Sequence, residues 1–266
     1  MGKPPPIKIA FLTNKTAKRS WPVFRAIIDS QDIQLCHTFF FDNVKSTRQS
    51  LGDIVKNIGP LQAARKAIRF GFSKLRQHIV NFDTGWITPT SPFEIAAISE
   101  LSSTIVTDMN RPECLDKLEN LKLDALLVCV CSNILKKEVL SISNMHFINV
   151  HPSLLPKYRG PAPAFWMRYN NEPEAGVSFH LMSQRIDQGN IVKQFKMQMN
   201  RTHSEHRIEL DAFKLAATEV ERVLRNFVEE EGQNTIRQDQ AQASYFSFPT
   251  RENRKELKKQ ITNSKS

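Results

Sequence analysis

The densest run of chemically useful side chains lies between Phe147 and Pro163, Phe-Ile-Asn-Val-His-Pro-Ser-Leu-Leu-Pro-Lys-Tyr-Arg-Gly-Pro-Ala-Pro. An apolar strand candidate ends there at Asn149-Val150-His151. Side chains alternate along a strand, so Asn149 and His151 project to the same side. Both can donate hydrogen bonds to a ligand at the lip of a sheet. Four prolines and one glycine follow before Ala164. They hold an irregular loop in place without a helix. An isolated Asn-x-His-Pro would favour a satisfied buried histidine and a strand-end cap. Two further polar groups lie downstream. His180 sits on the polar face of an alternating run, and Asp187 sits in the loop that follows it.

The elements that must position these groups read as alternating strands and helices. Ile7–Leu12, Ile33–Phe41, Ser103–Val106, Ala125–Val130 and Phe147–Val150 are strand candidates. Ala125–Val130 is almost continuously apolar, as expected of a central parallel strand covered on both faces. Ser20-Trp21-Pro22 looks like an N-cap with proline in the first turn of a helix ending near Asp29. Residues 44–57 and 61–81 read as helical, broken by Gly59-Pro60, and Glu113–Asn120 and Ile134–Leu140 as short helices. Such alternation predicts an α/β fold, a mostly parallel sheet with helices on both faces and ligands at the carboxyl ends of the strands. After residue 170 the pattern becomes antiparallel. Val177, Phe179 and Leu181 alternate with Ser178 and His180, and Phe195, Met197 and Met199 alternate with polar neighbours. Glu205–Glu230 reads as one long helix, its apolar stripe running through Phe213, Ala217, Val220, Leu224 and Phe227.

Composition narrows the function classes. No run of about 18 apolar residues offers a membrane span, and Met1–Pro6 lacks the layout of a signal peptide. Myristoylation is disfavoured by Pro6, where Ser or Thr is wanted. A cytoplasmic protein is expected. Cys36, Cys114, Cys129 and Cys131 form no zinc pattern and read as buried thiols, so no metal is expected. The first strand is followed by Thr13-Asn14-Lys15-Thr16-Ala17-Lys18 with no glycine, which disfavours a nicotinamide dehydrogenase. The formal charge is +10. Basic stretches at 45–76 and 251–266 favour anionic ligands in general. Arg251–Ser266, with six Lys or Arg against two Glu, reads as a frayed tail.

Taken whole, the segment from Asn149 to Gly160 resembles the folate-dependent formyltransferases. That family includes methionyl-tRNA, glycinamide ribonucleotide and nucleotide-sugar formyltransferases. Its mark is Asn-x-His-Pro-Ser-Leu-Leu-Pro-x-Tyr-x-Gly followed by an Asp-x-Gly loop. Here Ile186-Asp187-Gln188-Gly189 supplies that loop, and Gly176-Val177-Ser178-Phe179-His180 resembles the family's Gly-Val-Thr-x-His strand. The resemblance is strong over roughly 100–200 and limited to layout before that. It implies the family's Rossmann-like catalytic-domain fold with an antiparallel extension. It also implies a catalytic group of Asn149, His151 and Asp187, acting on 10-formyltetrahydrofolate as co-substrate. An amine attacks the formyl carbonyl, Asn149 and His151 donate to the developing oxyanion, and Asp187 orients the imidazole and passes a proton through water. Ser132, Asn133, Ile134 and Leu135 would line the pterin pocket mainly through backbone groups, with Arg185 and Ile186 closing its other side. His180, Lys157, Tyr158, Arg159 and Trp166 are carried over as acceptor-side residues or supports behind the catalytic group.

The acceptor is read from the remainder of the chain. The expected division is a catalytic domain over 1–235 and a linker-like segment with a basic tail over 236–266. Ala243–Thr250 resembles the linker that leads into the C-terminal barrel of methionyl-tRNA formyltransferases, yet too few residues follow it for a barrel. Gly160–Trp166 resembles the short enzymes acting on nucleotide-linked amino sugars, where Phe165 and Trp166 could flank an acceptor or simply pack. Lys15, Lys18 and Arg19 could meet a phosphate. A phosphate-bearing small-molecule amine, preferably a nucleotide-linked amino sugar, is the expected acceptor. The alternatives are a methionyl-tRNA-type enzyme lacking its second domain, a 10-formyltetrahydrofolate hydrolase, and a nucleic-acid-binding protein. The hydrolase is disfavoured because Ile7 starts the catalytic layout at once. Nucleic acid is not favoured as partner, no membrane partner is expected, and the oligomeric state is unread.

Overall fold

The computed structural model describes residues 4–42, 91–200 and 202–263. The helices expected at 44–57 and 61–81 lie outside the described residues. Described residues 4–42 and 91–249 form one compact unit, and the chain from Thr250 falls in a second.

The first unit is built on seven strands: β1 (Ile7–Asn14), β2 (Ile33–Phe41), β3 (Ser103–Val106), β4 (Ala125–Cys129), β5 (His146–His151), β6 (Glu174–Leu181) and β7 (Ile191–Gln198). Their order is β3-β2-β1-β4-β5-β6-β7. The first five pair in parallel, and β6 and β7 extend the sheet antiparallel. This is the mostly parallel α/β sheet with an antiparallel extension that the alternation predicts. The order reverses between β1 and β4, which opens a crevice at their carboxyl ends where α/β sheets bind ligands.

Strand alternation sorts the core into two layers. Ile7, Ile9 and Phe11 of β1 pack with α1 (Trp21–Asp29) and α6 (Glu205–Glu229). Ala10 and Leu12, the intervening residues, pack with α3 (Pro112–Asn120) and α4 (Lys137–Leu140) on the opposite face. Every residue of β4 is buried, which is why it reads as an unbroken apolar run. Along α6 the buried stripe runs through Ile208, Ala212, Phe213, Ala216, Val220, Val223, Leu224 and Phe227. Ser204 caps its start by accepting a hydrogen bond from Arg207 N.

Three local expectations are corrected. Ser20 does not cap α1, because its buried hydroxyl donates to Ala17 O and pairs with Thr13 Oγ1 instead. A helix unread in the sequence, α2 (Pro92–Ile98), begins where Ser91 Oγ accepts from Glu94 N. That start has the Ser-x-x-Glu spacing of a capping box. The tail is not frayed across 251–263, where it forms α7 (Arg251–Asn263). A reciprocal cap explains its start: Thr250 N donates to Asn253 Oδ1, and Asn253 N donates to Thr250 Oγ1. Residues 236–249 belong to the first unit, Ile236 bridging to Ile191 and Tyr245 to Arg159. Among the described residues, no helix is long and apolar enough to cross a membrane.

Candidate active site

β5 ends at Asn149-Val150-His151 and lies between β4 and β6. In the antiparallel register Asn149 faces His180, and His151 faces Ser178. Asn149 Nδ2 lies 3.1 Å from His180 Nε2. The other ring nitrogen of His180, Nδ1, is 2.8 Å from Leu181 O. A carbonyl only accepts, so Nδ1 carries the proton. In the neutral ring Nε2 is then the acceptor for the Asn149 amide. The same reasoning fixes His151. Its Nε2 donates to Tyr158 O at 2.9 Å, which leaves Nδ1 as the nitrogen turned to the site.

The loop after β6 brings in Asp187. Its Oδ2 lies 3.7 Å from His151 Nδ1, and its Oδ1 lies 3.6 Å from His180 Nε2. Gly160 N donates to Asp187 Oδ2 at 2.8 Å. The carboxyl is held well below the usual carboxylate range. Burial, the largest single influence, would raise it, but His151 and the Gly160 N–H favour the charged form. Asn149, His151, Asp187 and His180 therefore meet at one place, although they come from two strands and a loop. Asp187 has φ +53°, a left-handed conformation that an L residue adopts only when its surroundings hold it.

The Pro-rich loop is tied down at many points. Ser153 Oγ donates to Lys157 O, and Ser178 Oγ donates to Ser153 O while accepting from Leu155 N. Gln194 Nε2 donates to both Leu155 O and Ser178 Oγ. Tyr158 is buried, its hydroxyl donating to Glu172 and its ring stacked on Phe246. Burial and the Glu172 bond push its phenol upward. Gly160 has φ +91°, and a Cβ there would come within 2.4 Å of Phe246 O, so only glycine fits beside that backbone.

Several carried-over residues have partners of their own, and others are exposed. Arg159 is 4% exposed and bonds Gln238 and Gln240. Trp166, in α5 (Pro163–Tyr169), donates from Nε1 to Ser247 O and stacks on Phe246, so the indole face is occupied by packing. Lys157 is exposed. Of the segment expected to line the pterin, Ser132 donates to Asn14 Oδ1 across the β1/β4 crevice. Asn133 turns its amide to Met109 N and Asp108. Leu135 is buried in the core, so only its main chain can meet a ligand, whereas Ile134 is 57% exposed. Arg185 and Ile186 are exposed beside Asp187. Lys15 pairs with Asp42 and lies over the Phe93 ring, and Arg19 pairs with the buried Glu209. Lys18 remains exposed.

Sequence reasoning passes over Ser178, Gln194, Glu172 and Gln238 as parts of this site. Ser178 and Gln194 had a signal, their places on the polar sides of alternating strands. Among the described residues no group of three or more His, Cys, Asp or Glu could hold a metal ion.

Comparison with known proteins adds a family model described as formyl transferase, which matches residues 88–224. The fold is similar to several solved structures. One is phosphoribosylglycinamide formyltransferase from Bacillus halodurans, at 12% identity and TM-score 0.58, covering 84% of this chain and 96% of that one. Another is glycinamide ribonucleotide transformylase 1 from Symbiobacterium toebii, at 12% identity and TM-score 0.60, covering 88% and 95%. A third is an N-formyltransferase from Helicobacter canadensis in complex with folinic acid and dTDP-3-aminofucose. It is 18% identical with TM-score 0.55, covering 91% of this chain and 71% of that one.

Proposed function

From this premise, that the chain belongs to the formyl transferase family, we infer that it moves the formyl group of 10-formyltetrahydrofolate onto a primary amine. The observation that carries the reading is the meeting of Asn149, His151 and Asp187 at the end of β5. The amine nitrogen attacks the formyl carbon, and the new C–N bond pushes negative charge onto the formyl oxygen. Asn149 has two amide hydrogens, and one is engaged with His180. The other serves the oxyanion, a donor role typically worth ~10²–10³ in turnover. With its Nε2–H held by Tyr158 O, His151 donates to the oxyanion from Nδ1, as the protonated ring. Asp187 balances that charge from 3.7 Å. The attacking amine loses a proton, which passes by way of Asp187 and water. The bond to N10 of the folate then breaks, and N10 takes up a proton as it leaves.

The donor is read as lying along residues 132–135 on one side and 185–186 on the other. Backbone groups there match the planar donor and acceptor edge of a pterin. The preferred acceptor is a nucleotide-linked amino sugar. The support is the Helicobacter canadensis likeness, whose structure holds dTDP-3-aminofucose, and the Gly160–Trp166 segment. The packed Trp166 no longer adds to that support. Mass spectrometry after incubation with 10-formyltetrahydrofolate and a panel of amino-sugar nucleotides tests the acceptor. A gain of one formyl group on a sugar is expected. Formylation of charged initiator tRNA or of glycinamide ribonucleotide, with none of any sugar, would overturn it.

A further inference from the structure

Gln238 lies 51 positions after Asp187. It is 3% exposed, and both ends of its side chain are engaged. Its Oε1 accepts from Arg159 Nε at 3.0 Å and Nη2 at 2.6 Å. Its Nε2 donates to Asp187 O at 2.8 Å and to Gly189 O at 2.7 Å. These bonds close a ring. Gln238 holds the Arg159 side chain, Arg159 is followed by Gly160, and Gly160 N donates to the Asp187 carboxylate. The Asp187 main chain returns to Gln238. Within the ring, Asp187 holds a left-handed backbone. Gly189 sits so close to Leu181 that a Cβ would lie 1.8 Å from Leu181 O. Among the described residues, Gln238 Nε2 is the side-chain donor that meets both carbonyls of this turn, and an amide is the side chain that can accept from a guanidinium while donating to two carbonyls.

We propose that Gln238 is a positioning residue for Asp187, setting the carboxylate against His151, His180 and Gly160 N by gripping the main chain on both sides of residue 188. The proposal rests on the formyl-transfer reading for its kinetic consequence, but its geometric consequence stands alone. Gln238 touches none of the reacting groups, so its loss acts through the placement of Asp187. Misplacing a catalytic group by about 1 Å can cost roughly 10²-fold in rate.

The test compares Gln238→Ala and Gln238→Asn with the wild type in the full chain. Gln238→Asn keeps the amide but shortens its reach by one methylene, and serves where Gln238→Ala fails to fold. Two readouts are taken. The first is the Gly160 amide signal in an NMR spectrum, which reports its bond to the carboxylate. It is expected to move in both variants toward its position in Asp187→Ala. The second is steady-state kinetics, where kcat is expected to fall ~10-fold or more while the KM values of donor and amine change by less than about 3-fold. A Gly160 signal left at its wild-type position in a folded variant overturns the proposal. So does an unchanged kcat, or a loss carried wholly by KM. If the wild type transfers no formyl group, the functional reading fails separately, and the Gly160 signal alone still decides the positioning role.

Discussion

His151 and Asp187 work as a pair because each fixes what the other can do. Tyr158 O takes the His151 Nε2 proton, so the only nitrogen free for chemistry is the one facing the carboxylate. Asp187 in turn stays ionised through His151 and the Gly160 N–H, against the pull of burial. A carboxyl with a depressed folded value contributes stability that is fully present above its unfolded value, about 3.9, and is lost as pH falls toward the folded one. The stability of the wild type relative to Asp187→Asn is therefore expected to decline on acidification below about pH 4. Urea titrations of both proteins across that range measure it. A relative stability that rises on acidification would contradict the placement of Asp187. At this scale much was legible. Asn149 and His151 could be set on one side of a strand end by alternation alone. Asp187 came only through the motif, because nothing local says that a loop beyond β6 folds back onto β5.

The elements carry a second lesson, about which signals are local. β1, β4 and α6 announce themselves because their neighbours within a few residues set the period. The clamp on the Pro-rich loop does not, since Ser178, Gln194, Glu172 and Gln238 meet it across 14 to 79 positions of chain. The α7 helix was hidden for another reason. Its composition is that of a solvated tail, and its one clear sign is the Thr250–Asn253 cap. Ser178 is the best test of the clamp. It is fully buried, and its hydroxyl serves Ser153 O, Leu155 N and Gln194 Nε2. Ser178→Ala removes that oxygen and strands Leu155 N, a cost of about 1–3 kcal/mol. Chemical denaturation should show that loss, with turnover falling alongside it. A variant as stable as the wild type would mean that the loop is held by other means.

At the scale of the whole molecule, the sheet order places the crevice between β1 and β4 and sets β5 and β6 beside it. The second unit and the basic charge of +10 play no part in this account of the chemistry. What the fold supplies is convergence: a strand end, its antiparallel neighbour and a returning loop bring four polar side chains to one small volume. The segment 236–249 is tied to that arrangement through Gln238 and Ser244, which no periodicity foretells. The direct test of the convergence is the transfer of an isotope-labelled formyl group from 10-formyltetrahydrofolate to an accepted amine by His151→Ala beside the wild type. The account predicts that the folded variant transfers at least ~10²-fold more slowly. Transfer at the wild-type rate would contradict it.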